Sequence, residues 1–143
     1  FEAAGAQIFE HSGLNEMGWG VLEGRPHDAE AVATFREAIR RWEAGDLGYK
    51  VAGGESPLEL WQRLARALRE LVLLHPTGDV LVCTHGRALR CLLAGLFGYG
   101  LEAMQRFRHA NTALNIVVRS GQRFYAEQLN DLAHLQYGPL PPA

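Results

Sequence analysis

A short apolar run that ends in His-Gly constrains the fold of this chain more than any other feature. Residues 80–83 read Val-Leu-Val-Cys and follow a turn, which is typical of a buried strand in a parallel sheet. His85 and Gly86 come next, and the segment 88–97 is apolar almost all round, which predicts a buried helix. A buried strand that leads into a buried helix indicates an α/β fold, because helices cover both faces of a parallel sheet.

Two more helices are predicted before this run. Asp28 can cap a helix over residues 28–44. Residues 56–59 read Ser-Pro-Leu-Glu, a capping box with proline at the first helical position. The helix that follows has an apolar stripe, and Arg63 is expected on the opposite, outward face. Between the two helices, the glycine-rich segment 45–54 is too short to separate domains.

The remaining segments predict a hairpin and two incomplete ends. Residues 113–119 and 122–127 flank Ser120-Gly121 and have the pattern of a β-hairpin. Residues 2–10 resemble the end of a helix that began earlier, since no N-cap precedes them. Residues 138–143, which are rich in proline, predict a frayed tail.

The composition limits the classes of protein to which this chain can belong. The chain has 143 residues, of which 48% are hydrophobic, so residues 1–143 are predicted to form a single domain. A net charge of −2 disfavours nucleic-acid binding. The apolar runs are shorter than the roughly 20 residues of a membrane span. Two cysteines cannot build a disulfide scaffold or a four-cysteine zinc site.

His85 is the first candidate for chemistry. It follows the carboxyl end of the predicted strand, where open α/β sheets bind ligands. Gly86 lets backbone N–H groups approach an anion, and a helix N-terminus adds partial positive charge. The plainer interpretation is a histidine that hydrogen-bonds at a strand end. No Asp or Glu stands near His85 at the spacing of a metal-binding helix motif, so no metal is predicted.

Two arginines follow in the first turn of the same helix. Cations there oppose the helix dipole, so Arg87 and Arg90 call for a bound phosphate or a structural carboxylate such as Glu55. A buried ion pair is predicted for Arg90, which has apolar neighbours on both sides. Arg87 is predicted to face solvent or the rim of a pocket.

Glu16 is the second candidate. It lies in the loop 14–24, which contains three glycines and several apolar residues. Burial in such a loop can raise a carboxyl pKa until the group acts as a general acid near neutral pH. The alternative is a surface glutamate that ties loop amides together. By their patterns alone, Glu55 is expected to pair with an arginine, and Asn111 to make a local turn bond.

Four motifs in register resemble one family. They are Leu14-x-Glu16 with Gly20, Glu23 and Gly24; Gly53-Gly54-Glu55-Ser56; residues 80–86 followed by Arg90; and Asn111 before a strand. Together they resemble the histidine phosphatase superfamily, in the branch related to phosphoglycerate mutase. The residues of these motifs are especially similar to those of the bisphosphatase half of the bifunctional phosphofructokinase/bisphosphatase.

The resemblance implies a fold and a chemistry. The fold is a three-layer α/β/α sandwich around a mostly parallel sheet. The chemistry is phosphoryl transfer through a phosphohistidine, with no metal and no organic cofactor. By position, Glu16 matches the proton donor, His85 the second, phosphate-holding histidine, Gly86 the anion-binding turn and Asn111 a residue at the pocket border. Glu55 and Arg90 are expected to be structural residues near the site.

One departure from the family is large. The family's nucleophile lies in an Arg-His-Gly triplet near the amino terminus, and this sequence contains no such triplet. The chain is therefore interpreted as an amino-terminally truncated piece of a cytoplasmic phosphatase, inactive alone, whose whole acts on a small phosphomonoester. Alternatives are a mutase, a natural pseudophosphatase that binds a phosphorylated ligand, and a binding domain with no phosphate chemistry.

The expected partners follow from this interpretation. The expected partner is a small phosphorylated metabolite, and a phosphate or sulfate ion is expected to be able to occupy the site. Neither a nucleic acid nor a membrane is expected as a partner. A homodimer is left open.

Overall fold

The computed structural model describes residues 7–136, which form three α-helices and one hairpin. These elements are α1 (Ala29–Glu43), α2 (Pro57–Leu74), α3 (Gly86–Leu96), β1 (Leu114–Ser120) and β2 (Arg123–Asp131). Short 3-10 turns lie at Ser12–Leu14, Gly20–Leu22, Leu101–Arg106 and Ala133–Leu135.

Local caps explain where α1 and α2 begin. The Asp28 carboxylate accepts from the backbone N–H of Ala31 at 2.8 Å. Ser56 Oγ accepts from the Glu59 backbone N–H at 3.3 Å, and the Glu59 carboxylate accepts from the Ser56 N–H at 2.9 Å. Both helix predictions are confirmed, because each cap satisfies amides that have no partner inside the helix.

The core forms where α2 and α3 pack against each other and against α1 and the turn at Leu101–Arg106. The indole of Trp61 on α2 lies on Gly95 of α3, where a Cβ atom would be 2.3 Å from the ring. The lack of a side chain at Gly95 therefore allows this close approach. The largest fully buried side chains of the core are Met17, Trp42, Leu60, Leu64, Leu93 and Met104.

The predicted hairpin is confirmed, with a longer second strand. β1 and β2 pair in antiparallel register from Ser120 opposite Arg123 to Leu114 opposite Asp131. Gly121 opens the connecting turn at a φ of +62°, a conformation that glycine adopts readily. The register shifts on either side of Ile116, so the pairing is irregular near the start of β1.

The prediction of a buried parallel strand at residues 80–83 is wrong. Val80, Leu81 and Val82 have no strand assignment, and they are 44%, 62% and 37% exposed. Cys83, expected to be buried, is also exposed. No segment among residues 7–136 lies beside this run as a partner strand, so the described part is α/β without the parallel-sheet sandwich.

The predictions for the two ends fall largely outside the described residues. Residues 7–10 are not helical, which corrects that portion of the predicted helix end. The rest of that helix end and the predicted tail at 138–143 are not among the residues described. Within 7–136, no helix is both long and apolar enough to cross a membrane.

Candidate functional site

Glu16 lies on the N-terminus of α3, although more than 70 residues separate them in sequence. Its carboxylate accepts from the backbone N–H groups of Ala88 at 2.9 Å and Arg87 at 3.1 Å. The N–H of Met17 donates to the same group at 2.9 Å. These amides and the helix dipole favour an anion. The fold thus brings the predicted proton donor to the predicted anion-binding turn.

A half-buried ion pair holds the loop 14–24, here called the acid loop. Arg63 on α2 binds both carboxylate oxygens of Glu55, at 2.7 and 2.9 Å. Its Nη atoms also donate to three backbone carbonyls, those of Gly13, Asn15 and Glu16, at 2.9–3.0 Å. The hydrogen bond with Glu55 raises the pKa of Arg63. Arg63 therefore faces the acid loop, and the prediction that it faces outward is wrong.

The acid loop also packs closely against residues 51–55. The Glu55 N–H donates to the Gly18 carbonyl at 2.8 Å, and the Val21 N–H to the Ala52 carbonyl at 3.0 Å. Gly20 has a φ of +54°, and a Cβ there would lie 2.1 Å from the Ala52 oxygen. Only glycine fits this approach, so two motifs far apart in sequence form one unit.

A small cavity opens beside Glu16. It measures about 190 Å³ and is here called the acid-loop cavity. Its lining residues are Glu16, Trp19, Gly86, Arg87, Arg90 and His109. Three residues predicted for the site, Glu16, Gly86 and Arg90, therefore share one cavity.

Arg87 lines the acid-loop cavity, in agreement with one of its two predicted places, but its guanidinium lies among aromatic rings and not in solvent. Its guanidinium carbon is 5.7 Å from the ring centroid of Trp19 and 5.9 Å from those of Phe35 and Trp42. Burial, together with the charge of Arg90, lowers the pKa of Arg87 to about 10. Atom Nη1 is buried and has no hydrogen-bond partner among the described residues.

Arg90 does not form the predicted buried ion pair in the described part of the chain. Its Nη1 donates instead to the side-chain oxygen of Gln105 at 3.2 Å. Glu55, the carboxylate considered for the two arginines of α3, is bound to Arg63. Arg90 therefore lies beside the cavity with a neutral hydrogen-bond partner.

His85 and Asn111 are exposed and do not line the acid-loop cavity. His85 is the N-cap residue of α3, and its side chain makes no capping hydrogen bond. Asn111 lies in the turn before β1, where its carbonyl accepts from the Thr112 hydroxyl at 2.6 Å. Their assignment to phosphate binding stays a prediction.

His109, which no sequence motif singles out, also lines the acid-loop cavity. A Cβ at Gly86 would lie 2.8 Å from the His109 ring, so the missing side chain makes room for the imidazole. Its Nδ1 is buried without a partner among the described residues. The sequence around His109 matches no motif, and tertiary packing alone reveals its place.

The cysteines and possible metal ligands offer no further chemistry in the described residues. Burial raises the pKa of the Cys91 thiol to about 12, which makes it a poor nucleophile at neutral pH. Within residues 7–136, no three His, Cys, Asp or Glu side chains cluster as metal ligands would.

Comparison with known proteins gives one consistent result. Residues 1–132 match the histidine phosphatase superfamily (branch 1). A probable phosphoglycerate mutase, GpmB, of Yersinia enterocolitica is 33% identical over 140 residues, which cover 94% of this chain and 64% of that protein. The relative from Yersinia pestis strain Pestoides F gives the same values. The chain thus spans about 64% of the length of the curated relatives it matches.

Two solved structures have folds similar to that of this chain. A mycobacterial glucosyl-3-phosphoglycerate phosphatase in complex with inorganic phosphate has a TM-score of 0.76 at 22% identity, covering 91% of this chain and 68% of that one. An alpha-ribazole phosphatase from Shigella flexneri has a TM-score of 0.68 at 24% identity, covering 85% and 59%. At these identities the likeness shows the fold alone.

Proposed function

Because this chain belongs to the histidine phosphatase superfamily (branch 1), we propose that the protein containing it hydrolyses a small phosphomonoester through a phosphohistidine. One observation carries the proposal: the carboxylate of Glu16 lies on the N-terminus of α3, the helix whose N-cap residue is His85. A general acid and an anion-binding turn are the two parts that such a reaction needs side by side.

The proposed phosphate holder is the turn formed by His85 and Gly86. The amides of Arg87 and Ala88 in the same helix turn hold the Glu16 carboxylate, which is the behaviour expected of an anion-binding helix N-terminus. In the proposed complex, His85 and the Gly86 N–H donate to phosphoryl oxygens, and the N-terminus of α3 stabilises the charge. Asn111 is proposed at the border of the same site.

The reaction needs a nucleophile in addition to these groups. A histidine nitrogen attacks phosphorus, the bond to the ester oxygen breaks, and Glu16 gives that oxygen its proton. Water then attacks the phosphohistidine while Glu16 accepts a proton, which releases inorganic phosphate. The 143 residues contain no Arg-His-Gly triplet, so we propose that the nucleophile lies outside them and that they are inactive alone.

A mutase is the second candidate, because the relatives that are 33% identical carry the name of probable phosphoglycerate mutases. A mutase passes the phosphoryl group to a second hydroxyl and needs a bisphosphate primer. The acid loop is followed closely by α1, which leaves little chain to close over a substrate and favours the phosphatase. Phosphate release without primer distinguishes the two.

A pseudophosphatase is the non-enzymatic alternative. In that case the 143 residues would be a natural chain that binds a phosphorylated ligand without turnover. The gene sequence upstream of the Phe1 codon discriminates: an in-frame Arg-His-Gly supports the enzyme, and a start codon directly before Phe1 supports the binding protein.

The first experiment assays the gene-length protein on a chromogenic phosphate ester. We expect Glu16→Gln and His85→Ala each to lower kcat by about 10²–10⁴-fold, because one removes the proton donor and the other a phosphate contact. Glu127→Gln and His27→Ala are matched controls at exposed positions, and both should keep full activity.

Two results would contradict the proposal. One is undiminished turnover by both Glu16→Gln and His85→Ala. The other is turnover by the 143-residue chain alone that disappears in His85→Ala, since His85 would then be the nucleophile.

A further inference from the structure

A second and larger cavity lies at the carboxyl end of α3. It measures about 720 Å³ and is here called the aromatic groove. Small-molecule sites ordinarily measure about 300–1,000 Å³ and are lined by apolar and aromatic side chains with a few polar groups. The aromatic groove therefore has the size of a ligand site. Five of its lining residues are aromatic: Phe97, Tyr99, Phe107, Phe124 and Tyr125.

The aromatic groove is separate from the site of the proposed reaction. Phe97, which directly follows α3, lines the groove, whereas Gly86 at the start of α3 lines the acid-loop cavity. An α-helix rises about 1.5 Å per residue, so these two residues are roughly 16 Å apart. Within the described chain, the two sets of lining residues share no member. A small ligand in the groove therefore binds away from the groups proposed for phosphoryl transfer.

The aromatic rings of the groove differ in how accessible they are. Phe107 packs against both Phe97 and Tyr99, with ring centroids 6.1 and 5.8 Å apart. Tyr99 and Tyr125 are 61% and 50% exposed. The tyrosine rings are therefore surfaces that a ligand can contact, and aromatic rings pair favourably with other aromatic rings.

Two cations determine the charge of the groove. Arg106 and Arg108 flank Phe107 in the sequence, and they are the only charged side chains among the described lining residues. The ion pairs and the cation–π contacts found in residues 7–136 involve other cations. Positive charge beside an apolar surface favours a ligand that carries the opposite charge.

Asn130 adds a hydrogen-bonding group to the lining of the groove. Its side-chain oxygen accepts from the Ala110 N–H at 2.8 Å, and its backbone N–H donates to Asn115 Oδ1 at 2.9 Å. These two bonds hold Asn130 in the left-handed conformation, at a φ of +53°. Because the side-chain oxygen is already bonded, the Nδ2 group remains as a donor for a ligand.

We propose that the aromatic groove binds a small aromatic anion. The ring of this ligand lies against Tyr99 and Tyr125, and its carboxylate or phosphate is held by Arg106 and Arg108. A neutral aromatic ligand would leave the two cations without a partner, and an anion without a ring would leave the aromatic surface uncovered. The groove is thus a second site, independent of phosphoryl transfer.

The first test compares two matched pairs of ligands by calorimetry on the gene-length protein. Naphthalene-1-acetate and 1-naphthaleneethanol differ in the carboxylate, and ADP and adenosine differ in the diphosphate. We expect the anion of at least one pair to bind about 5- to 20-fold more tightly than its neutral partner. Preference in the first pair identifies a carboxylate ligand, and preference in the second identifies a nucleotide. Equal affinities within both pairs, or no binding, would overturn the inference.

Inorganic phosphate separates this site from the one proposed for catalysis. The titrations are repeated with saturating phosphate at constant ionic strength. We expect the affinities of the aromatic ligands to stay within about twofold, because a phosphate ion has no ring to contact the groove. Displacement of the ligands by phosphate would place them at the catalytic site and overturn the inference. Since no turnover is measured, failure of the phosphatase proposal leaves this test intact.

Variants of the lining residues test the two parts of the site. The double variant Arg106→Met, Arg108→Met should abolish the preference for the anion and leave the neutral ligand's affinity unchanged. Arg66→Met combined with Arg69→Met, at exposed positions on α2, is the matched control and should keep the preference. Tyr99→Ser should weaken the anion and its neutral partner alike, by several-fold. A preference that survives without both groove arginines would overturn the inference.

A second copy of the chain is the competing occupant of the groove. In that case Tyr99→Ser would lower the mass that sedimentation measures, because the variant would weaken contacts between copies. We expect the parent protein and Tyr99→Ser to have the same mass at equal concentrations. A lower mass for the variant, without an effect on ligand binding, would overturn the ligand site in favour of self-association.

Discussion

Arg87 occupies a position that ordinarily disfavours a cation. It lies in the first turn of α3, where the helix dipole opposes positive charge. Its guanidinium is also buried against Trp19, Phe35 and Trp42. Cation–π attraction to these rings favours the charged form, whereas burial and the charge of Arg90 lower the pKa of Arg87. We therefore expect the described part of the molecule to be less stable with this arginine than with an apolar side chain of similar length.

We expect Arg87→Met to raise the free energy of unfolding by about 1–3 kcal/mol at pH 7. The pKa of Arg87 in the folded chain, about 10, is below its ordinary 12.5. The cost of the charged form is thus fully present at pH 7 and is relieved only above pH 10. Urea unfolding of the variant and of Arg69→Met measures the difference, and a loss above 1 kcal/mol would contradict the expectation.

Residues with local roles could be predicted from the sequence, and those with distant partners could not. Asp28 and Ser56 cap helices within three residues of themselves, so their patterns suffice. The surroundings of Arg87 come from Trp19, Phe35 and Trp42, which lie 45 or more residues away. Nothing near Arg87 in the sequence indicates those rings.

Packing between α2 and α3 depends on one glycine. Trp61 of α2 fills the space where a side chain on Gly95 would lie. Alanine is ordinarily the better helix former by about 1 kcal/mol. Here its methyl group would meet the indole, so tertiary packing reverses the usual preference.

We therefore expect Gly95→Ala to lower the free energy of unfolding by about 1–3 kcal/mol, because the ring or the helix must shift. Gly48→Ala is the matched control, since a Cβ at Gly48 meets nothing within 4 Å. Thermal or urea unfolding of both variants gives the comparison. A Gly95→Ala protein as stable as its parent would show that Trp61 moves aside without cost.

The elements that depend on local sequence, the two capped helices and the hairpin, were predicted correctly. The predicted strand at residues 80–83, which depends on pairing with a distant segment, was not. Both capped helices and the hairpin follow from local patterns. The apolar run 80–83 has the composition of a parallel strand, but a strand exists only where a second segment pairs with it. Periodicity carries no information on whether that segment is present.

At the scale of the whole molecule, long-range hydrogen bonds assemble the site. Arg63 binds carbonyls of the acid loop that lie 47 and 48 residues away, and the Thr84 hydroxyl donates to the Leu14 carbonyl at 2.7 Å. The order of the motifs predicted that Glu16 and His85 belong to one site. How the acid loop attaches to α2 required the fold.

The exposed run 80–83 predicts how the 143-residue chain behaves at high concentration. Its apolar side chains and unpaired backbone favour association between copies. We expect Leu81→Lys to raise the concentration at which light scattering first detects oligomers by several-fold. Leu135→Lys, at a similarly exposed position, should have a smaller effect. Equal effects of the two variants would contradict a role for this run.

The aromatic rings around Arg87 also allow the charge at this position to be followed by tryptophan fluorescence. Two of its three tryptophans, Trp19 and Trp42, lie within 6 Å of the guanidinium carbon of Arg87. Indole emission responds to nearby charge, so neutralising this cation would change the fluorescence of both. Trp61 lies apart, against Gly95. The fluorescence of Trp19 and Trp42 therefore reports on the charge beside the acid-loop cavity, and the fluorescence of Trp61 serves as an internal reference.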